Sequence, residues 1–200
     1  ITLVNKGSTT IYSGMLPGLV ANKYKFDDIL IDLRTLAFKA DVAFVRGEIE
    51  GININQKKLI LLGRPDIEYS ALSLDIGTQT KTIAKSPFKN NNDLAIPIKP
   101  FGNSFQLIVS QDIYKDDMSA EPFSIIGSGL AAIEISFALR KRWPKRSIHL
   151  HVKSGKKISN NLIRCLKDFN VEIKQNNDCI SYPALICTGN QEFEWIKNSG

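Results

Sequence analysis

The stretch FSIIGSGLAAIEISFALRKR, Phe123 to Arg142, limits the fold more than any other part of this 200-residue sequence. Phe123–Ile126 reads as a buried strand, the glycines that follow form a turn, and the apolar residues after them recur at helical spacing. Gly127, Gly129 and Ala132 occupy the three small positions of G-x-G-x-x-(G/A), with the strand before and the helix after that this pattern requires. Each position has its own physical reason. Gly127 permits a tight turn, Gly129 lets a pyrophosphate approach the backbone with no Cβ in the way, and Ala132 keeps the helix close to the strand. Backbone N–H groups, with Ser128 between the glycines, and the positive end of the helix would then hold the phosphates. The pattern predicts a dinucleotide ligand; a tight turn that merely packs is the competing reading.

About 20 residues beyond such a loop, an acidic side chain accepts from the ribose hydroxyls of NAD. Here the second strand ends in Val152-Lys153, with Lys156 and Lys157 close behind. A 2′-phosphate is better tolerated there than in an NAD site, so NADP stands beside NAD, and a solvated basic loop is the alternative. Glu134, in the first turns of the helix, suits the dipole and is either a structural support or a cofactor contact.

The segments after Arg142 alternate in type. SIHLHV is a strand, residues 158–169 a helix, VEIK a short strand, and ALICTG a strand ending near Gly189. That alternation predicts an α/β fold with a parallel sheet covered on both faces. In the first half, ITLVN predicts a strand, and a long loop holds YSGMLPG. FDDILIDLRTLAFKA then predicts a helix capped by Asp27 or Asp28. VAFVRGEIEGININQKKLILLG predicts two strands, a turn at Asn55-Gln56 and a returning strand; YSALSLDIG predicts a further strand, its glycine turn capped by Asp75. Residues 78–104 look like a connecting region, and SFQLIVSQDIY fits helix or strand.

YSALSLDIGT and YPALICTGN share Tyr-x-Ala-Leu followed by a glycine turn, and ITLVNKGS is similar to IHLHVKSG. Two related nucleotide-binding units account for both echoes. The first then lacks its opening strand, loop and helix, roughly two dozen residues expected before Ile1. The expected organisation is two Rossmann-like domains, the first incomplete, over residues 1–104 and 105–200.

The net charge of +6 comes wholly from residues 123–200, and Arg140–Lys157 holds eight basic residues and no acidic one. Cations at a helix C-terminus suit its dipole, an anionic cofactor would use them, and nucleic acid is disfavoured because no aromatic residues are interleaved to stack on bases. No transmembrane run and no export signal are seen, so a cytoplasmic protein is expected. Cys165, Cys179 and Cys187 match no paired spacing, and His149 and His151 alternate on one strand without a carboxylate or thiol beside them in sequence, so neither disulfide nor metal is expected.

YSGMLPG, IDLRTLA, YSALSLDIGT, IPIKP, IIGSGLAAIE and ICTGNQEFEWIKNSG, in this order, resemble motifs of the pyridine nucleotide-disulfide oxidoreductase superfamily of flavoproteins. More narrowly the chain resembles the FAD-containing NADH dehydrogenase-like proteins sometimes fused to selenide, water dikinase. The resemblance implies an FAD-binding domain up to about residue 100, followed by an NAD(P)-binding domain. It places the Ile49 backbone by adenine, Gly77 and Thr78 by the flavin nucleotide, and Tyr12, Ser13, Gly14 and Lys99 towards the flavin side. Gly189 falls in the last of these motifs and is read as cofactor-binding. The implied reaction is hydride transfer from nicotinamide to flavin, then electron delivery to a quinone or another acceptor, with the protein supplying orientation and electrostatics. Without a cysteine pair near the start, a dithiol mechanism is excluded. The alternative is a non-catalytic regulatory or interaction module, acting as a homo-oligomer or beside a partner such as selenophosphate synthetase. Peripheral membrane association belongs to the intact protein in that family.

Overall fold

The structure, a computed structural model, describes residues 1–80, 95–155, 158–175 and 178–199. Lys156, Lys157 and most of the expected connecting region lie outside the described residues. The chain forms two compact units: residues 1–16, 25–78 and the last residues from Glu192 make the first, and 17–24 with 79–191 the second.

In the first unit β1 (Thr2–Asn5) is the expected opening strand. The loop expected after it is instead structured: β2 (Thr9–Ile11), a 3-10 turn at Ser13–Met15, and then the short helix α1 (Leu16–Val20), which runs on into the second unit. Pro17 fits the first helical turn, where its missing N–H has no helical partner to lose. The helix expected over FDDILIDLRTLAFKA breaks in two. Leu30–Asp32 is extended as β3 and pairs antiparallel with β2, and α2 spans only Leu33–Lys39. The cap is Asp32, not Asp27 or Asp28: its carboxylate accepts from Arg34 N at 2.9 Å, Thr35 N at 3.2 Å and Thr35 Oγ1 at 2.8 Å. Those hydrogen bonds satisfy N–H groups the helix itself leaves open, and they hold the Asp32 carboxyl below its usual range.

From α2 the chain returns through β4 (Ala43–Arg46), parallel to β1. β5 (Ile49–Asn53) and β6 (Lys58–Leu61) form the expected hairpin, extended by β7 (Ile67–Glu68). The strand expected over Tyr69–Gly77 does not form; this stretch is irregular and joins no ladder among the described residues. A helix near the C-terminus (Glu194–Lys197) packs on β5, and Ser199 Oγ accepts from Ile52 N at 3.2 Å.

The second unit begins its ladders with β8 (Gln79–Thr80) and β9 (Ala95–Pro97), both within the stretch read as a connection. SFQLIVSQDIY resolves as helix: α3 spans Phe101–Ser110 and a 3-10 turn follows. Then come β10 (Phe123–Ile126), α4 (Leu130–Arg142), β11 (Ile148–Val152), α5 (Asn160–Asp168), β12 (Val171–Gln175), β13 (Ala184–Ile186) and β14 (Asn190–Gln191). Five of these strands make one parallel sheet in the order β12-β11-β10-β13-β9, while β14 pairs antiparallel with β8.

All of β10 is buried, as a central parallel strand covered on both faces requires, and its one polar side chain, Ser124, meets His151 Nε2 at 3.3 Å. Phe123 meets the buried Trp143 edge-on at 4.9 Å, and α4 buries Ala132, Ile133, Ile135, Ala138 and Leu139. Ser124 and Ile126 point to the other face, in register with His149 and His151. There Ile126, Ala184 and Ile186 are covered by Ile180 and Tyr182 from the short connection between β12 and β13.

Candidate functional site

The C-terminal ends of β10 and β13 flank the point where the chain departs in opposite directions along the sheet, the crevice that takes ligands in open α/β folds. Gly127 sits there, donating its N–H to His151 O at 2.9 Å while Cys187 N donates to Ile126 O at 2.7 Å. A Cβ on Gly127 would stand 2.7 Å from Cys187 O and 3.1 Å from the methyl of Ala132. Gly127 and Ala132 are therefore small because backbone and helix meet at that point. Burial pushes the Cys187 thiol up to about 12, so it is a packing group and not a nucleophile.

Gly129 has the opposite surroundings. It caps α4 with extended backbone (φ −90°, ψ 170°), provides no side-chain cap, and has nothing within 4 Å of where a Cβ would stand. An uncapped helix start facing open space presents N–H donors and a partial positive charge, which is what a pyrophosphate requires. The residues present thus fit a dinucleotide phosphate. Ser128 braces the turn from within, its Oγ accepting from Lys153 N at 2.9 Å and so fastening the glycines to the exit of β11.

Gly127, Ser128, Gly129, Ala132 and Lys153 are therefore brought together, with the Lys153 side chain exposed. Glu134 is exposed on α4. Gly189 is exposed just past β13, with nothing within 4 Å of its Cβ position. Lys99 follows β9 at the same end of the sheet, where Ile98 N donates to Ile186 O at 2.9 Å and Lys99 N donates to Thr80 Oγ1 at 3.1 Å. The sequence offered no sign of Thr80, because its role depends on a neighbour that only folding supplies.

The remaining candidates belong to the first unit. Tyr12 is exposed before the 3-10 turn that carries Ser13 and Gly14, and its ring lies 3.2 Å from where a Gly14 Cβ would stand. Ile49 opens β5 and is half-buried. Gly77 has φ +71°, a conformation that side chains disfavour, and Thr78 follows it.

Three arginines of the basic run that begins in the last turn of α4 are spent within the protein. Arg140 donates to the carbonyls of Phe169, Trp143, Pro144, Arg146 and Asn170. Arg142 is buried, holds Asp112 through bonds of 2.7 and 2.5 Å, and also reaches Val20 O and Asn22 Oδ1. Burial would raise the Asp112 carboxyl, but donors from Arg142 and Trp143 outweigh it and hold the group below its usual range. Arg146 is buried against Tyr114, Phe123 and Trp143 and donates to Glu121 O and Gln111. These three arginines secure α3, α4 and the sheet, and none of them forms a free basic surface.

The parallel sheet, its crevice and the glycine turn define the class: a mixed α/β, Rossmann-like fold shared with the solved structures it matches. Among solved structures the chain is similar to reduced CoADR-RHD of Bacillus anthracis, with TM-score 0.78 and 14% identity over 100% of this chain and 41% of that one. It is also similar to an engineered water-forming NADPH oxidase bound to NADPH, with TM-score 0.74 and 14% identity over 98% of this chain and 50% of that one. Ferroptosis suppressor protein 1 of Xenopus tropicalis is 22% identical over 107 residues, covering 54% of this chain and 26% of that protein. No family model matches the chain. The chain thus spans half or less of each of these proteins, and at such identities the likeness defines the fold alone.

Proposed function

We propose that this chain is part of an NAD(P)H oxidoreductase whose second unit binds the nicotinamide nucleotide. The observation that carries the reading is the contrast between two glycines two residues apart: Gly127 is packed against the Cys187 carbonyl, whereas Gly129 faces open space at an uncapped helix start. Packing alone explains the first and not the second. Lys153, fastened by its own N–H to Ser128, stands where a 2′-phosphate would come, and this favours NADPH over NADH.

When bound, FAD would supply hydride acceptance and one-electron release to a quinone or another acceptor. Tyr12, Ser13, Gly14, Ile49, Gly77, Thr78 and Lys99 are the residues assigned to its side. The narrower likeness to NADH dehydrogenase-like proteins and the division into flavin and nicotinamide domains, 1–104 and 105–200, belong to this same reading. So do a cytoplasmic or membrane-peripheral location and a partnership with selenophosphate synthetase.

One observation supports a second reading, a non-catalytic nucleotide-binding module. Among the described residues, a parallel strand, glycine turn and long helix in sequence occur once, at Phe123–Arg142. Calorimetric titration with NADPH and NADH, with and without added FAD, separates the readings. Saturable NADPH binding with dye reduction in the presence of FAD supports the oxidoreductase, and binding without reduction supports the module. Binding of neither nucleotide at millimolar concentration would refute both.

A further inference from the structure

β12 is the last strand of its sheet, and no strand among the described residues pairs with its outer side. In a parallel ladder, the backbone groups of successive residues point alternately to the two neighbouring strands. Gln175 sets the phase: its N–H donates to Asp178 Oδ2 at 2.8 Å and its carbonyl accepts from Asp178 N at 2.9 Å, so it points away from β11. Val171 and Ile173 share that orientation, while Glu172 and Lys174 turn their backbone groups towards β11. At their N-terminal ends β11 and β12 border a groove of about 650 Å³ lined by Ser147, Ile148, Val171 and Ile173 with Lys145 and Met118. Outward N–H and C=O groups on an edge strand are a template for another strand.

The side chains select which strand. Glu172 and Lys174 flank Ile173 on one face of the sheet, their charged groups 2.9 Å apart. A two-fold contact between identical edge strands is necessarily antiparallel and self-complementary. Centred on Ile173, it places Glu172 of each copy opposite Lys174 of the other, and lets the two Ile173 residues exchange N–H···O bonds in both directions. Moving the centre to Glu172 or to Lys174 sets like charges against each other. We propose that the outer edge of β12 is a homodimerisation surface, joining the parallel sheets of two copies antiparallel about Ile173.

Sedimentation equilibrium on the full chain, with amide exchange of Ile173 followed against protein concentration, tests this. A reversible dimer is expected, with Ile173 protection rising with concentration. Glu172→Lys should weaken association about tenfold or more, because it turns two attractive cross-strand pairs repulsive. The double exchange Glu172→Lys with Lys174→Glu should restore it. Ile173→Pro removes an outward N–H that β11 does not use, and should give a monomer with unchanged circular dichroism. Should Glu172→Lys fail to fold, Lys174→Glu interrogates the same pair. A chain that remains monomeric at concentrations on the order of 100 μM, or a dimer indifferent to both charge reversals and to Ile173→Pro, overturns the proposal.

Discussion

Replacing each glycine of the turn by alanine should separate packing from binding. In Gly127→Ala the new methyl would lie 2.7 Å from Cys187 O and 3.0 Å from its carbonyl carbon, where ordinary contact begins at 3.4 Å. The obstruction is backbone, and it is held: Cys187 N is bonded to Ile126 O at 2.7 Å, so relief requires β10 and β13 to part at their ends. Overpacking of a rigid core with strain on a buried hydrogen bond costs about 2–4 kcal/mol. In Gly129→Ala the methyl meets nothing and the backbone is extended, so the stability change should stay within about 0.5 kcal/mol. That methyl would, however, occupy the approach of the pyrophosphate, and NADPH affinity should fall by about tenfold or more. Urea denaturation followed by fluorescence, with Trp143 buried in the second unit as reporter, measures the first quantity, and calorimetry the second. The reasoning is refuted if Gly127→Ala unfolds at the parent's urea midpoint, or if Gly129→Ala is destabilised as much while binding NADPH normally.

Other consequences are equally direct. His149 and His151 lie 6.2 Å apart on one face, near Ser124, Glu172, Lys174 and Asp178, and burial lowers both pKa values. A folded-state pKa below the unfolded value near 6.5 means that the native state binds fewer protons there, so this contribution is present above about pH 6.5 and is lost as pH falls. Urea midpoints measured between pH 7.5 and 5 should decline, and the decline should be shallower in His151→Gln. Arg142→Ala strands the Asp112 carboxylate and two further acceptors, and should lower unfolding free energy by about 2–3 kcal/mol, discounted because Asp112 is partly exposed. Lys153→Glu keeps the backbone N–H that binds Ser128 but changes the charge at the ribose, so competitive titration should show preference moving from NADPH towards NADH. Thiol titration at pH 8 should label the exposed Cys165 and Cys179 quickly and leave Cys187 unmodified until the protein unfolds.

What could be read in advance follows the range of the interactions concerned. The strand, turn and helix of Phe123–Arg142 were legible because composition, periodicity and glycine placement act within about 20 residues and agree with one another. The hairpin of β5 and β6 was legible for the same reason. Where local preference met a distant partner, the partner prevailed. Leu30–Asp32 lies on a helical repeat, yet its backbone pairs with Thr9–Ile11 and the helix starts only after Asp32. Ala95–Pro97 lies in a stretch of turn-forming residues, yet it extends the parallel sheet beside β13. Arg142 suited a helix end in sequence, but its fate was decided by Asp112, thirty residues earlier.

The amino-acid sequence by itself determined that a phosphate-sized turn would form between a buried strand and a long helix, because glycines and apolar spacing act on adjoining residues. Only the tertiary structure decided which glycine is filled by the protein and which is left open. The Cys187 carbonyl that occupies one side of Gly127 comes from sixty residues further along the chain, and close packing between distant segments has no trace in local spacing.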